Sequence, residues 1–167
     1  MVVFAAVIVA ILVSFVAVVA VGAPYVPTRR EDIEKALAIA RLKPGDTIID
    51  LGSGDGRLLL AAAKRGIHAV GYELNPLLVL VTKWRCRKYG HLVQVRMRDF
   101  WRVELPPETD AVFVFLAKPF MARLSTFLSA SSHRTQKPLL LISYGFELPD
   151  HQPIRQDRAV LCYQIKG

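Results

Sequence analysis

The run Thr47-Ile-Ile-Asp50 leads without a break into "DLGSGDGR" at 50–57, with glycines at 52, 54 and 56. An apolar strand must stop there, turn sharply and restart as the helix "RLLLAAAKRG", and glycine supplies the left-handed backbone that such a turn needs. The same alternation continues along the chain. Strands are expected at 47–51, 68–72, 92–97, 111–116, 139–144 and 159–165, and helices at 31–42, 56–65, 76–88 and 119–130. Asn75 is placed to cap the third helix with Pro76 at its first position, and Gly66 and Gly90 close the second and third. Strands alternating with helices imply a parallel sheet with right-handed crossovers, so the fold class is α/β, one doubly wound, mostly parallel domain over 24–167. The patch "SASS" at 129–132 reads as a loop, and 145–158 leaves little room for a completing helix and hairpin, so the substrate-facing edge of the sheet is expected to be open, or completed by a partner or the membrane.

The first 23 residues are of another kind. From 2 to 21 there are fourteen Val, Ile, Leu or Phe, five Ala and one Ser, without a charge. As a helix this segment reaches roughly 34 Å, slightly beyond a hydrocarbon core of ~30 Å. Its large apolar residues favour insertion by roughly 4 to 8 kcal/mol. A transmembrane anchor over 1–23 is the expectation, preceding an extended connector with Pro24 and Pro27. Val21-Gly-Ala23 makes a cleaved signal peptide the alternative, weakened by the missing basic leader and by Pro24. Arg29, Arg30 and Lys35 follow the segment and no charged side chain precedes it. By the positive-inside rule this makes a single-pass membrane protein with its domain on the cytosolic face, the bacterial plasma membrane being favoured over an organelle.

Lysine and arginine exceed the acids by 22 to 14, a formal net charge of +8, and cluster in "KWRCRK" at 83–88 and around 96–102. Anionic lipid headgroups or nucleic acid could use such charge, and a solvated helix face needs no partner. Cys86 and Cys162 lack Cys-x-x-Cys or histidine spacing and read as reduced structural thiols, not metal ligands.

In a doubly wound sheet the ligand lies at the carboxyl ends of the strands, closest to the turn after the first. A phosphate loop needs Lys-Ser or Lys-Thr after its last glycine, and neither follows Gly56. A dinucleotide fingerprint needs its third glycine three residues after the second; here the spacing is two, which disfavours that ligand.

The segment resembles the class I S-adenosylmethionine-dependent methyltransferases, in which an acid ends the first strand before Gly-x-Gly-x-Gly. The resemblance implies a Rossmann-like fold with S-adenosylmethionine as cofactor, and two further acids match it. Glu73 after "AVGY", with Leu74 beside it, would accept from the ribose hydroxyls; Asp99 in "MRDFW" would accept from the adenine amino group while Phe100 flanks the ring. Asp50, Gly52, Ser53, Gly54 and Gly56 would form the methionine-side wall. From 24 to about 124, including "PYVPT", "KPGDTIIDLGSGDGR", "AVGYELNP" and "RDFW", the chain is similar to small membrane-anchored lysine methyltransferases related to the mitochondrial ATP synthase c-subunit and adenine nucleotide translocase methyltransferases. That similarity implies that Tyr25 and Thr28 fold over the methionine end; Tyr25 reads equally as an interfacial aromatic.

After the fourth strand the chain reads Phe115-Leu-Ala-Lys-Pro119 with no Asn-Pro-Pro-Tyr, which argues against methylation of a base amino group and against nucleic acid as partner. The expected activity is protein-lysine N-methylation of a membrane or membrane-proximal protein, with the lipid bilayer as a further partner. The alternatives are a lipid or quinone acceptor facing "LLVLV" at 77–81 and a non-enzymatic cofactor-binding role. Trp101 and Lys118 are candidates for the pocket rim. The sequence sets neither the catalytic residues nor the oligomeric state.

Overall fold

The apolar runs become the strands of one sheet in the computed structural model, which describes residues 26–166. In chain order the elements are α1 (Arg30–Ala40), β1 (Thr47–Leu51), α2 (Arg57–Ala63), β2 (His68–Glu73), α3 (Pro76–Arg85), β3 (Val93–Met97), β4 (Ala111–Val114), α4 (Met121–Thr135), β5 (Leu139–Tyr144), β6 (Arg155–Asp157) and β7 (Val160–Ile165). The seven strands lie in the order β3-β2-β1-β4-β5-β7-β6. The first five are parallel, and β7 runs antiparallel to both β5 and β6. The strand order reverses between β1 and β4, so the expected doubly wound α/β sheet is present, with its switch point beside the glycine turn.

β1 is buried at all five positions because both faces of the sheet are covered. Ile48 packs with Ile33 and Leu37 of α1 and Leu58 and Leu59 of α2, whereas Ile49 and Leu51 pack with Leu124 and Leu128 of α4. This central position explains why β1 reads as an unbroken apolar run rather than an alternating one. Asp50 is its ionisable exception.

Gly56 joins the turn to the helices. Its backbone is left-handed, at φ +74°, and a Cβ there would collide with the Thr82 side chain of α3. Thr82 Oγ1 in turn donates to the Gly54 carbonyl at 3.0 Å. Gly56→Ala should therefore lose roughly 2 to 4 kcal/mol, from left-handed strain plus overpacking. Urea denaturation checks this, and a loss below 1 kcal/mol, within roughly the range of a surface substitution, contradicts it.

Two local expectations are corrected. The serine-rich patch continues α4 rather than forming a loop, because Ser131 Oγ donates to the Phe127 carbonyl at 2.9 Å and Thr135 Oγ1 to the Ser131 carbonyl at 3.1 Å. Hydroxyls bonded one turn back are satisfied within the helix, at a slight cost to it. The edge expected to be open carries the hairpin β6–β7, made without an intervening helix.

Among the described residues no helix is long and apolar enough to cross a membrane. The longest, α4, has 15 residues; at 1.5 Å per residue it reaches about 22 Å, short of a ~30 Å core. This corrects the single-pass, cytosolic-face membrane placement expected from the sequence. The anchor expected over 1–23 lies outside the described residues.

Candidate functional site

Gly52, Gly54 and Gly56 all have positive φ, of 93°, 54° and 74°, and fold the chain back at the end of β1. The turn is stitched to the end of β2. The N–H groups of Gly52 and Ser53 donate to the Tyr72 carbonyl at 2.9 and 3.0 Å, and that of Gly54 donates to Glu73 Oε2 at 2.8 Å. Glu73 Oε1 accepts from the Asn75 N–H at 2.8 Å, while Asn75 Oδ1 caps α3 by accepting from Leu77 at 2.9 Å. Each Glu73 oxygen thus holds one backbone donor and retains acceptor capacity for another.

A pocket opens over the carboxyl ends of β1 to β4. It is walled by Asp50, Gly52, Ser53 and Gly54 on one side and by Glu73, Leu74 and Asn75 on the next. Asp99, Phe100 and Trp101 follow β3, Phe113, Phe115 and Leu116 come from the end of β4, and Val26 to Thr28 lie at the rim. The three acids therefore stand at the ends of three adjacent strands, whose axes are about 4.8 Å apart.

The polar groups here are short of partners. Asp50 is only 4% exposed. Burial, with Glu73 and Asp55 nearby, pushes its carboxyl up to about 8. Among the described residues it has no hydrogen-bond or ion-pair partner. Ser53 Oγ and Asn75 Nδ2 are likewise buried without partners among the described residues. Buried polar groups are normally paired, so this wall fits a ligand bringing positive charge together with donors and acceptors.

Asp55 differs. Burial pushes its carboxyl upward, but hydrogen bonds and charge from Arg57 and Arg85 outweigh that and hold it well below the usual carboxylate range. Arg57 grips it with Nε at 2.9 Å and Nη2 at 2.8 Å, and Arg85 Nη1 lies 2.6 Å away. Arg57 Nη1 also donates to the Thr28 carbonyl at 2.8 Å, drawing the segment before α1 against the pocket.

The structure brings together Thr28, Asp50, Gly52, Ser53, Gly54, Glu73, Leu74, Asp99 and Phe100 around this one pocket. Gly56 stands behind the wall, packed on Thr82, and Tyr25 lies outside the described residues. Asp99 Oδ1 accepts from the Trp101 N–H at 3.0 Å, fixing the turn that carries Phe100. Trp101 joins the wall, with its ring 4.6 Å from Phe100 and the Arg123 guanidinium 4.2 Å over it. Lys118 is exposed and away from the lining. The segment "LLVLV" is split, Leu78 and Val79 being buried while Leu77, Leu80 and Val81 are exposed. The sequence reading missed the clamp on Asp55, because Arg85 stands 30 residues further on with no motif to mark it.

The family model for the ANTKMT methyltransferase domain matches residues 50–155. The chain is 34% identical over 132 residues to the ATP synthase c-subunit lysine N-methyltransferase of Xenopus laevis, covering 78% of this chain and 56% of that protein. It is 37% identical over 152 residues to the adenine nucleotide translocase lysine N-methyltransferase of Mus musculus, covering 86% and 64%. The chain thus spans between about half and two thirds of the length of these relatives. Among solved structures, an RNA methyltransferase from Salinibacter ruber in complex with S-adenosyl-L-homocysteine superposes with a TM-score of 0.72 at 26% identity, covering 84% of this chain and 92% of that one.

Proposed function

We propose that this chain, which belongs to the ANTKMT methyltransferase domain family, is an S-adenosylmethionine-dependent methyltransferase that modifies lysine side chains of a protein. The observation that carries the reading is the row of acids at the ends of β1, β2 and β3, with Asp50 buried and unpartnered among the described residues. Asp50, Gly52, Ser53 and Gly54 would hold the methionine end with Thr28 at the rim, Glu73 and Leu74 the ribose, and Asp99 and Phe100 the adenine. Tyr25 joins the methionine end by resemblance alone, and Gly56 acts by packing.

When bound, the cofactor supplies an electrophilic methyl group on a sulfonium. Held at its methionine end by Asp50, Gly52, Ser53 and Gly54, it would offer that methyl group to the lone pair of a neutral acceptor nitrogen, with the S–C bonding pair left on sulfur and one proton released to solvent. The chain's residues align the two reactants and exclude water, and this step needs no strong base once the amine is neutral. A cationic neighbour in a partly desolvated site favours that neutral form. The unit that does this is 24–167. Its finer acceptor, by the resemblance of the Pro24 to Leu124 run, is a membrane or membrane-proximal protein.

Incubation of the chain with radiolabelled cofactor and unfractionated native cell extract should place label in a discrete protein band whose digest contains methyl-lysine. Label confined to the lipid extract or to RNA overturns the lysine reading while leaving the methyltransferase reading in place.

A further inference from the structure

Beside the cofactor wall lies a second polar group that the proposed cofactor residues leave unused. Sheet register pairs Asp50 of β1 with Phe113 of β4, and Phe113 with Ile142 of β5. Alternation along each strand then sets Asp50, Phe113, Phe115, Ile142 and Tyr144 on one face of the sheet, the face covered by α1. Two strand spacings put Tyr144 about 10 Å from the end of β1. Phe115, which lines the pocket, meets the Tyr144 ring edge-on, with centroids 4.9 Å apart and planes at 86°. The Tyr144 hydroxyl donates at 2.8 Å to Asp32 Oδ2, in the first turn of α1 and 112 residues away in sequence. Neither Tyr144 nor Asp32 is part of the pocket lining; Phe115 connects them to it.

We infer that Phe115, Tyr144 and Asp32 form the subsite that receives the acceptor lysine. The inference rests on the lysine reading above and names the residues that meet the amine. A lysine side chain is an apolar stem with a polar tip. The two aromatic rings suit the stem, and the paired Tyr144 and Asp32 oxygens accept from the amine N–H groups. The hydrogen bond to Asp32, with burial, holds the Tyr144 phenol above its usual value, so the hydroxyl keeps its proton while its oxygen can still accept. Lys35 lies 3.7 Å from Asp32 Oδ1, and Arg29 is close enough to act on Tyr144. The subsite therefore offers acceptors without a net negative charge, an environment that favours a neutral amine over an ammonium. Held there, the amine approaches the end of β1 from the β4–β5 side, opposite the wall built by Glu73 and Asp99.

Two measurements test this on the full chain. Tyr144→Phe and Asp32→Asn should each lower kcat/KM for the labelled protein acceptor by about tenfold or more, the size of a lost hydrogen bond to a polar group. S-adenosylhomocysteine affinity should stay within about twofold, because neither residue lines the cofactor pocket. Independently, in the chain saturated with S-adenosylhomocysteine and labelled with 13C on tyrosine rings, Nα-acetyl-lysine methylamide should shift the resonance that Tyr144→Phe removes. The norleucine analogue, which lacks the amine, should not. A wild-type chain that labels no protein but shows the shift defeats the lysine-methylating reading and leaves the amine subsite standing. Unaltered transfer by both variants, or an unmoved Tyr144 resonance, overturns the subsite.

Discussion

Glu73→Gln is expected to abolish measurable binding of S-adenosylhomocysteine, a loss of about a hundredfold or more, corresponding to roughly 2.7 kcal/mol. The carboxylate is committed on both oxygens, to the Gly54 N–H through Oε2 and to the Asn75 N–H through Oε1. Glutamine keeps one oxygen and replaces the other with a donor, so one of those buried N–H groups faces an NH2 group. An unpaired buried donor costs about 1 to 3 kcal/mol, which lowers the melting temperature by roughly 3 to 10 °C in a domain of this size. The same substitution lets the glycine turn swing away from β2. Calorimetric titration together with a thermal melt separates the two effects. Retained affinity at a lowered melting temperature would confine Glu73 to holding the turn.

Asp50→Asn moves stability the other way. The Asp50 carboxyl titrates near 8 in the folded chain, against an ordinary value of 3.8. Below that ordinary value both states hold the proton and the group costs nothing. Between about pH 4 and 8 the unfolded chain ionises while the folded chain does not, so stability falls by about 1.4 kcal/mol per pH unit from this group and levels off above its folded value. Asparagine is close in shape to the protonated acid and carries no such penalty. The variant is expected to match the wild type near pH 4 and to be more stable by several kcal/mol at pH 8. It should also bind S-adenosylmethionine more weakly, since asparagine cannot ionise to complement the cation as the carboxyl can. Guanidinium unfolding of both proteins from pH 4 to 9 checks the slope; a stability difference independent of pH means that Asp50 is already ionised in the fold. A buried acid kept at that cost in stability is the compromise expected of a wall that serves a ligand.

Legibility from sequence followed burial. β1 and β5 were read at their observed ends, because strands covered on both faces leave an unbroken apolar signal bounded by glycine and proline. β6, Arg155-Gln-Asp157, left none: a short polar edge strand has no period to detect. α3 stops at Arg85, and the rest of the expected helix becomes a 3-10 turn over Arg87–Tyr89. The acids at the strand ends were legible because each follows an apolar run directly. The contacts that organise the space around them were not. Asp32 meets Tyr144 across 112 residues and Arg85 meets Asp55 across 30, distances over which a single sequence carries no pairing information.

Arg57 clasps residue 28 by its carbonyl rather than its side chain. Every residue type has that carbonyl, so the latch is indifferent to what stands at 28. The Thr28 side chain takes no part in the latch and stays buried against the pocket. Arg57 is the shared element, since its one guanidinium serves both Asp55 and the latch. The entrance is therefore fastened through backbone on one side and through a single side chain on the other.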